Sequence, residues 1–271
     1  MGVIALLSDF GTADGYAGVM HGVILRINPQ AVVVDICHDI PPQDVHAAAF
    51  VLSTVYPYFP LDTIYVVVVD PGVGSERRAL AVRTPRGTFV APDNGVLSYI
   101  FARESIEEMV HLTNARYWLS PLSDTFHGRD LFAPVAAHLS LGVPLRELGH
   151  AIQDPVRLPI VEAAMQQDGT ISGQVLYIDR FGNLITNIPR GLLSPNRSWR
   201  IHIADREVIG LAKAYASAPD GELLALIDSS GYLELAVRNG SAAAMLKVNR
   251  GAEVVVTPIV DKTDARKEEY R

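Results

Sequence analysis

The stretch Tyr65-Val66-Val67-Val68-Val69-Asp70-Pro71-Gly72 constrains the fold of this chain more than any other. An unbroken β-branched apolar run, with no polar alternation, describes a strand covered on both faces. Central strands of a parallel sheet flanked by helices have that character. The run ends at one carboxylate, opens into a Pro-Gly turn, and reaches Arg77 a short loop later. In open α/β sheets, ligands occupy the crevice beyond the carboxyl ends of the strands. Asp70 and Arg77 are therefore expected where chemistry happens. Taken alone, Asp-Pro-Gly is also what an ordinary turn prefers, so the other segments must decide.

Residues 3–7, 31–36 and 64–69 predict strands, the first and last of them buried. Apolar spacing at Ala17, Met20, Ile24 and Ile27 predicts a helix opened by Asp14. Further helices are predicted from Pro41-Pro42 onward, over 96–102 and over 131–141. Residues 79–84 and 88–90 predict a hairpin around Pro85-Arg86-Gly87. Strands alternating with helices imply βαβ units, hence a three-layer α/β domain with a mostly parallel sheet over residues 1–156. Beyond this the pattern changes. Residues 170–178, 184–188, 200–203, 223–228, 232–236 and 253–258 read as strands between Gly, Asn and Asp turns, and only 208–216 reads as helix. A smaller, mainly β, barrel-like domain is expected over 157–260, followed by a charged tail at 261–271.

Composition narrows the partners. The net charge is −7 and no Lys/Arg run occurs, which argues against nucleic acid. No segment is long and apolar enough to span a bilayer. The start, Met1-Gly2-Val3-Ile4, lacks a basic leader and reads as a first strand. The single cysteine, Cys37, excludes a disulfide framework and reads as a small buried side chain. A cytoplasmic setting fits all of this.

Reactive side chains gather at predicted strand and loop ends: Asp9, His38 and Asp39, Asp70 with Arg77, Asp93 and Asn94, and His127 with Arg129. Each has a plain structural explanation when taken singly. Their joint occurrence points to one site, because polar groups at buried strand ends must find partners. Three chemistries compete. A metal-dependent nucleotide phosphohydrolase would use Asp9, His38, Asp39, Asp70 and His127 as ligands, although no His-Glu-x-x-His motif is present. A methyltransferase would use Asp70-Pro71-Gly72-Val73-Gly74 as a cofactor loop, but that loop follows the third predicted strand. The third is displacement by water on a cofactor-like substrate. Walker-type phosphate binding is excluded, since no Gly-Lys-Ser/Thr occurs. His21, His46 and His138 read as surface or packing residues of helices.

Ser8-Asp9-Phe10-Gly11, the segment 69–77, Ala91-Pro92-Asp93-Asn94-Gly95, Thr125-Phe126-His127-Gly128-Arg129-Asp130 and the segment 179–187 occur in this order. Together they resemble the S-adenosylmethionine hydroxide adenosyltransferases, also called SAM hydrolases, which are kin of the fluorinases and chlorinases. The resemblance spans nearly the whole chain. It implies an α/β domain followed by a β domain. It also implies a homotrimer with substrate between subunits, and hydrolysis of S-adenosylmethionine to adenosine and methionine. It implies no cofactor and no metal. By position, Asp70, Arg77 and His127 match the water-handling trio, where fluorinases have tyrosine at the positions of Asp70 and His127. Asp9 matches the residue that grips the ribose hydroxyls, and Phe181 and Asn183 match the adenine pocket. Asp179, Ser229 and Tyr232 match the methionine end. Gln43 stands where fluorinases place a tryptophan. A binding protein for the same ligand without turnover is the alternative from a different class.

Overall fold

The computed structural model describes residues 2–259, so the expected charged tail at 261–271 lies outside the described residues. The chain divides into two compact units between Ile160 and Val161.

The first unit contains β1 (Val3–Ser8), α1 (Tyr16–Ile27), β2 (Val32–Cys37), α2 (Val45–Val55), β3 (Thr63–Val68), β4 (Ala79–Thr84), β5 (Gly87–Pro92), α3 (Ser98–Arg103), β6 (Glu108–Leu112), α4 (Ala133–Ser140) and β7 (Gly149–Ala151). Its sheet has the order β2-β1-β3-β5-β4-β6-β7. β2, β1, β3, β5 and β6 run one way, and β4 and β7 the other. The valine run lies where its composition demands. Every residue of β3 is buried, and the strand pairs in parallel with β1 and β5. Val66 and Val68 face a core shared with Met20 and Ile24 of α1 and with Val135 and Leu139 of α4. On the opposite face Tyr65 stacks on Phe89 at 4.7 Å, while α2 and α3 pack together and α2 covers β1. Burying each such apolar side chain contributes roughly 1.5–3 kcal/mol.

Two helix starts differ from expectation. The helix expected at Asp14 begins at Tyr16, with Gly15 as N-cap and no side-chain cap. The helix expected from Pro41-Pro42 begins at Val45, because Asp44 accepts a hydrogen bond from the Ala47 amide at 3.0 Å and so caps it. The prolines instead lead into Gln43, whose φ is 65°. β6 and β7 were not foreseen; both are short and carry polar residues at paired positions, such as His111 and His150. Cys37 is only half-buried.

The second unit contains β8 (Ala164–Met165), β9 (Ile171–Ile178), β10 (Leu184–Pro189), β11 (Ser198–Ile203), β12 (Arg206–Ile209), β13 (Leu223–Ile227), β14 (Tyr232–Val237), α5 (Ala242–Leu246) and β15 (Glu253–Ile259). The strands follow the order β12-β11-β15-β9-β10-β14-β13, all pairs antiparallel, with β8 added beside β9. β12 and β13, the ends of that path, touch, so the sheet is a nearly closed barrel around Val175, Leu184, Trp199, Ile201, Leu233 and Leu235. The helix expected over 208–216 is not formed. Ala204, at φ 51°, turns the chain so that β12 pairs back on β11, and Gly210, at φ 80°, ends the strand. Only Tyr215–Ser217 makes a single tight turn.

Replacing the cap, Asp44→Ala, removes the acceptor for one free helix amide. A loss of about 1 kcal/mol is expected. Thermal denaturation followed by circular dichroism should show it as a midpoint lowered by about 2–4 °C.

Candidate active site

β3 delivers its chain to Val69, then Asp70. The following loop is held by its own turns, Val73 N to Asp70 O at 3.2 Å and Ser75 N to Gly72 O at 3.1 Å. The Arg77 amide also donates to Ser75 Oγ at 3.3 Å. These turns bring the Arg77 guanidinium back onto Asp70. Nε lies 2.9 and 3.0 Å from the two carboxylate oxygens, and Nη2 donates to the second oxygen. Both side chains are largely sealed, 10% and 5% exposed. The guanidinium lies over the Phe132 ring at 5.3 Å. Its Nη2 also reaches His127 Nδ1 at 2.7 Å. Arg77 therefore stands between Asp70 and His127.

An arginine has no acceptor, so the 2.7 Å contact makes Nδ1 the lone-pair nitrogen of His127 and leaves the proton on Nε2. Burial, and then the positive charge of Arg77, hold this imidazole below its ordinary pKa. His127 is placed by the residues that follow it. Gly128–Phe132 form a widened π-helical turn leading into α4, a distortion often found at functional sites. A Cβ on Gly128 would lie 3.1 Å from Phe126 Cε2 and 3.3 Å from Met20 Sδ. Buried Asp130 pairs with Arg129 and accepts the Ser123 amide at 2.9 Å, which anchors the loop before His127. Burial alone would raise the Asp130 pKa, but Arg129 and that amide bring it below the usual carboxylate range. Arg129 is thus a structural partner of Asp130.

Asp70 and His127 open onto a cavity of about 380 Å³ whose lining includes Asp9, Phe10, Gln43 and Phe126. Asp9 is fixed by the Gln43 amide, which donates to Oδ2 at 2.7 Å. Phe10, Tyr16 and Phe126 form an aromatic cluster with centroids 5.2–5.7 Å apart. Phe10 and Phe126 lie inside recognisable motifs, whereas Tyr16 carried no signal. Asp93 and Asn94, also at this edge, are structural. Asp93 binds Arg78 and the Val156 amide, and Asn94 Nδ2 donates to Val69 O at 2.8 Å, which ties down the end of the valine strand. Asp39 is exposed, and buried His38 faces Ser8. Asp70 turns both oxygens to Arg77.

In the second unit, Asp179 Oδ1 accepts the amides of Phe181 (2.9 Å) and Asn183 (2.8 Å), and its Oδ2 accepts Asn183 Nδ2 at 3.0 Å. The turn presents Phe181 outward, 76% exposed. Asp228 repeats the device, accepting the amides of Ser230 and Tyr232 at 2.9 Å. Ser229 sits exposed at that tip and Tyr232 is half-buried. Sequence reading missed Glu234, which is 3% exposed and accepts from Tyr215 Oη at 2.8 Å. Burial first, and then the charges of Asp179 and Asp228, push its pKa up to about 7.

Gly74 has φ 77°, and a Cβ there would meet the Asp124 carbonyl oxygen within 2.4 Å. Gly74→Ala is therefore expected to push the Arg77 loop away from the His127 loop. The strain of a non-glycine residue in this region is about 1–2 kcal/mol, before the backbone clash. Hydrogen exchange should quicken at 71–77 and 124–127 while the barrel stays protected.

The family model for the SAM hydroxide adenosyltransferase N-terminal domain matches residues 4–149, and that for the C-terminal domain matches 173–255. A protein of Salinispora arenicola named (R)-S-adenosyl-L-methionine hydrolase is 40% identical over 257 residues, 94% of this chain and 97% of its own. One of the same name from Thermus thermophilus is 37% identical over 261 residues, covering 93% and 98%. A fluorinase of Actinopolyspora mzabensis is 28% identical, covering 94% and 97%. The crystal structure of an uncharacterized conserved protein from Thermotoga maritima superposes with a TM-score of 0.88 at 38% identity, covering 94% and 99%. With both of its domains matched and relatives of this identity aligned along nearly its whole length, the chain belongs to the SAM hydroxide adenosyltransferase family.

Proposed function

We propose that this chain hydrolyses S-adenosyl-L-methionine to adenosine and L-methionine, by attack of water or hydroxide on the ribose C5′. The observation that carries the reading is the sealed Asp70–Arg77–His127 array, with Asp70 and His127 facing a cavity. The new bond is C5′–O. The bond that breaks is C5′–S, whose electron pair returns to sulfur. A thioether leaving a sulfonium needs no protonation and no redox partner, so the reaction calls on no cofactor. The demand falls on the nucleophile. His127 Nε2–H can donate to the attacking oxygen. The Asp70 carboxylate has about four acceptor sites. Three are used by Arg77. The remaining one can take a proton from water, and Arg77 offsets the charge that builds up.

Asp9 would hold the ribose hydroxyls, and Phe181 and Asn183 the adenine. Asp179, Ser229 and Tyr232 would hold the methionine end. An aromatic ring as exposed as Phe181 supports a site completed by another subunit. So does the edge strand β2, which leaves Val32 and Val34 exposed. A homotrimer with substrate between subunits fits both. The relatives' names specify the (R) sulfonium epimer, and we extend that preference to this chain. No described helix is long and apolar enough to cross a membrane, and the reading is of a cytoplasmic enzyme.

Incubation in oxygen-18 water with each resolved sulfonium epimer should give labelled adenosine and methionine from the (R) form. S-adenosylhomocysteine, or binding without product, would reject the proposal. Asp70→Asn and Arg77→Lys should each lower kcat by at least ~100-fold, since lysine cannot reproduce the forked contact. The His127 pKa is lowered, so the ring stays neutral as pH falls through the ordinary imidazole value and becomes charged only below it. The acid limb of kcat should accordingly lie below about 6.5. It should vanish in the residual activity of His127→Asn.

A further inference from the structure

Away from the cavity, α1 and β2 bring together a second group of polar side chains. His21 Nε2 lies 2.7 Å from Asp35 Oδ1, and His38 Nε2 lies 3.0 Å from the same oxygen. The three ligand atoms fall within 4.8 Å of one another. His38 is the unusual member. It is 5% exposed, and its Nε2 is buried yet makes no hydrogen bond, because its approach to Asp35 is off the bonding direction. A sealed ring nitrogen held 3.0 Å from a carboxylate oxygen without a well-directed hydrogen bond, and aimed into a group of two other ligand atoms, is better satisfied by an ion between them.

We propose that His21, Asp35 and His38 bind one divalent transition ion of the zinc class. Two imidazole nitrogens and a carboxylate oxygen suit such an ion, with a fourth position left to water. Metal–ligand bonds of about 2.0–2.1 Å separate tetrahedral ligand atoms by about 3.3 Å. The contacts to Asp35, now 2.7 and 3.0 Å, must therefore part by about 0.6 and 0.3 Å, and the two imidazole nitrogens, within 4.8 Å of each other, must settle to the same separation. The His21 and Asp35 side chains, 29% and 48% exposed, are free to do so, and the exposed side of Asp35 leaves an entry path. His38 is the fixed point. Its Nδ1 lies 2.7 Å from Ser8 Oγ. A hydroxyl can donate or accept. Without an ion it can donate to Nδ1. With one it can accept Nδ1–H, which turns the Nε2 lone pair onto the metal. This is the outer-shell role that metal-bound histidines usually require.

The site is separate from Asp70, Arg77 and His127 but joined to the loop that carries Asp9. The same Ser8 Oγ accepts the Phe10 amide at 3.3 Å, and the His38 carbonyl accepts the Gly11 amide at 2.7 Å.

The test is calorimetric titration of Zn2+ into the chelator-stripped full chain. One ion per chain with micromolar or tighter affinity is expected. His21→Ala and Asp35→Asn should each weaken it at least ~10-fold, and Ser8→Ala by a similar factor through the tautomer. His21 and Asp35 are partly exposed, so these variants should keep the parent circular dichroism. His202→Ala, which removes an exposed histidine beside Glu207 on the other unit, should leave binding intact. No saturable binding to the parent, or equal binding by the parent and the first two variants, would overturn the assignment.

Discussion

A guanidinium cannot discard its proton when it is buried, and Arg77 is nine-tenths buried. Much of the surrounding structure answers that constraint. A carboxylate must wait at the end of the valine strand, so Asp70 does. The loop must return the guanidinium to it, so turns are formed at Val73 and Ser75 and a glycine lies against Asp124. The imidazole that touches the cation must stay neutral, and burial together with Arg77 keeps His127 so. The remaining face of the cation is met by the Phe132 ring. Removing one partner of such a pair costs about 3–5 kcal/mol. The groups that make the site are therefore also groups that hold the sheet edge together.

The two units serve different ends. In the first, parallel strands and flanking helices create a rigid edge on which Asp9, Asp70 and His127 are held by backbone geometry. In the second, antiparallel hairpins carry short polar turns whose tips face solvent. Glu234 connects two of these turns electrically. It is buried beside Tyr215, and its elevated pKa registers the charges of both Asp179 and Asp228.

Much of the first unit was legible because burial on both faces leaves a run that cannot be mistaken, as at Tyr65–Val69, and because the residues at its end belong to ordered motifs. The arrangement within the trio was not legible. Arg77 follows Asp70 by a short loop but meets His127 from far along the chain, and no periodicity states which of the three stands in the middle. Residues 208–216 failed for a different reason. Their apolar spacing suits a helix, but Ala204 and Gly210 impose a hairpin and a break. Glu234 alternates with Leu233 and Leu235 as a solvent-facing strand residue would. It is covered by Tyr215, which lies far from it in sequence. His21 looked like a surface helix residue for the same reason; Asp35 and His38 reach it only through packing.

The paired turns at Asp179 and Asp228 have an evolutionary meaning. Each is closed by its own aspartate onto backbone amides, with a glycine at positive φ, 82° and 86°, completing the bend. The residues at the tips, Arg180-Phe181 and Ser229-Ser230, contribute nothing to closing the loop except through backbone atoms. Their side chains can be exchanged while the frame persists. A lineage built on this barrel can therefore exchange the exposed residues at these tips while the turns that carry them stay closed.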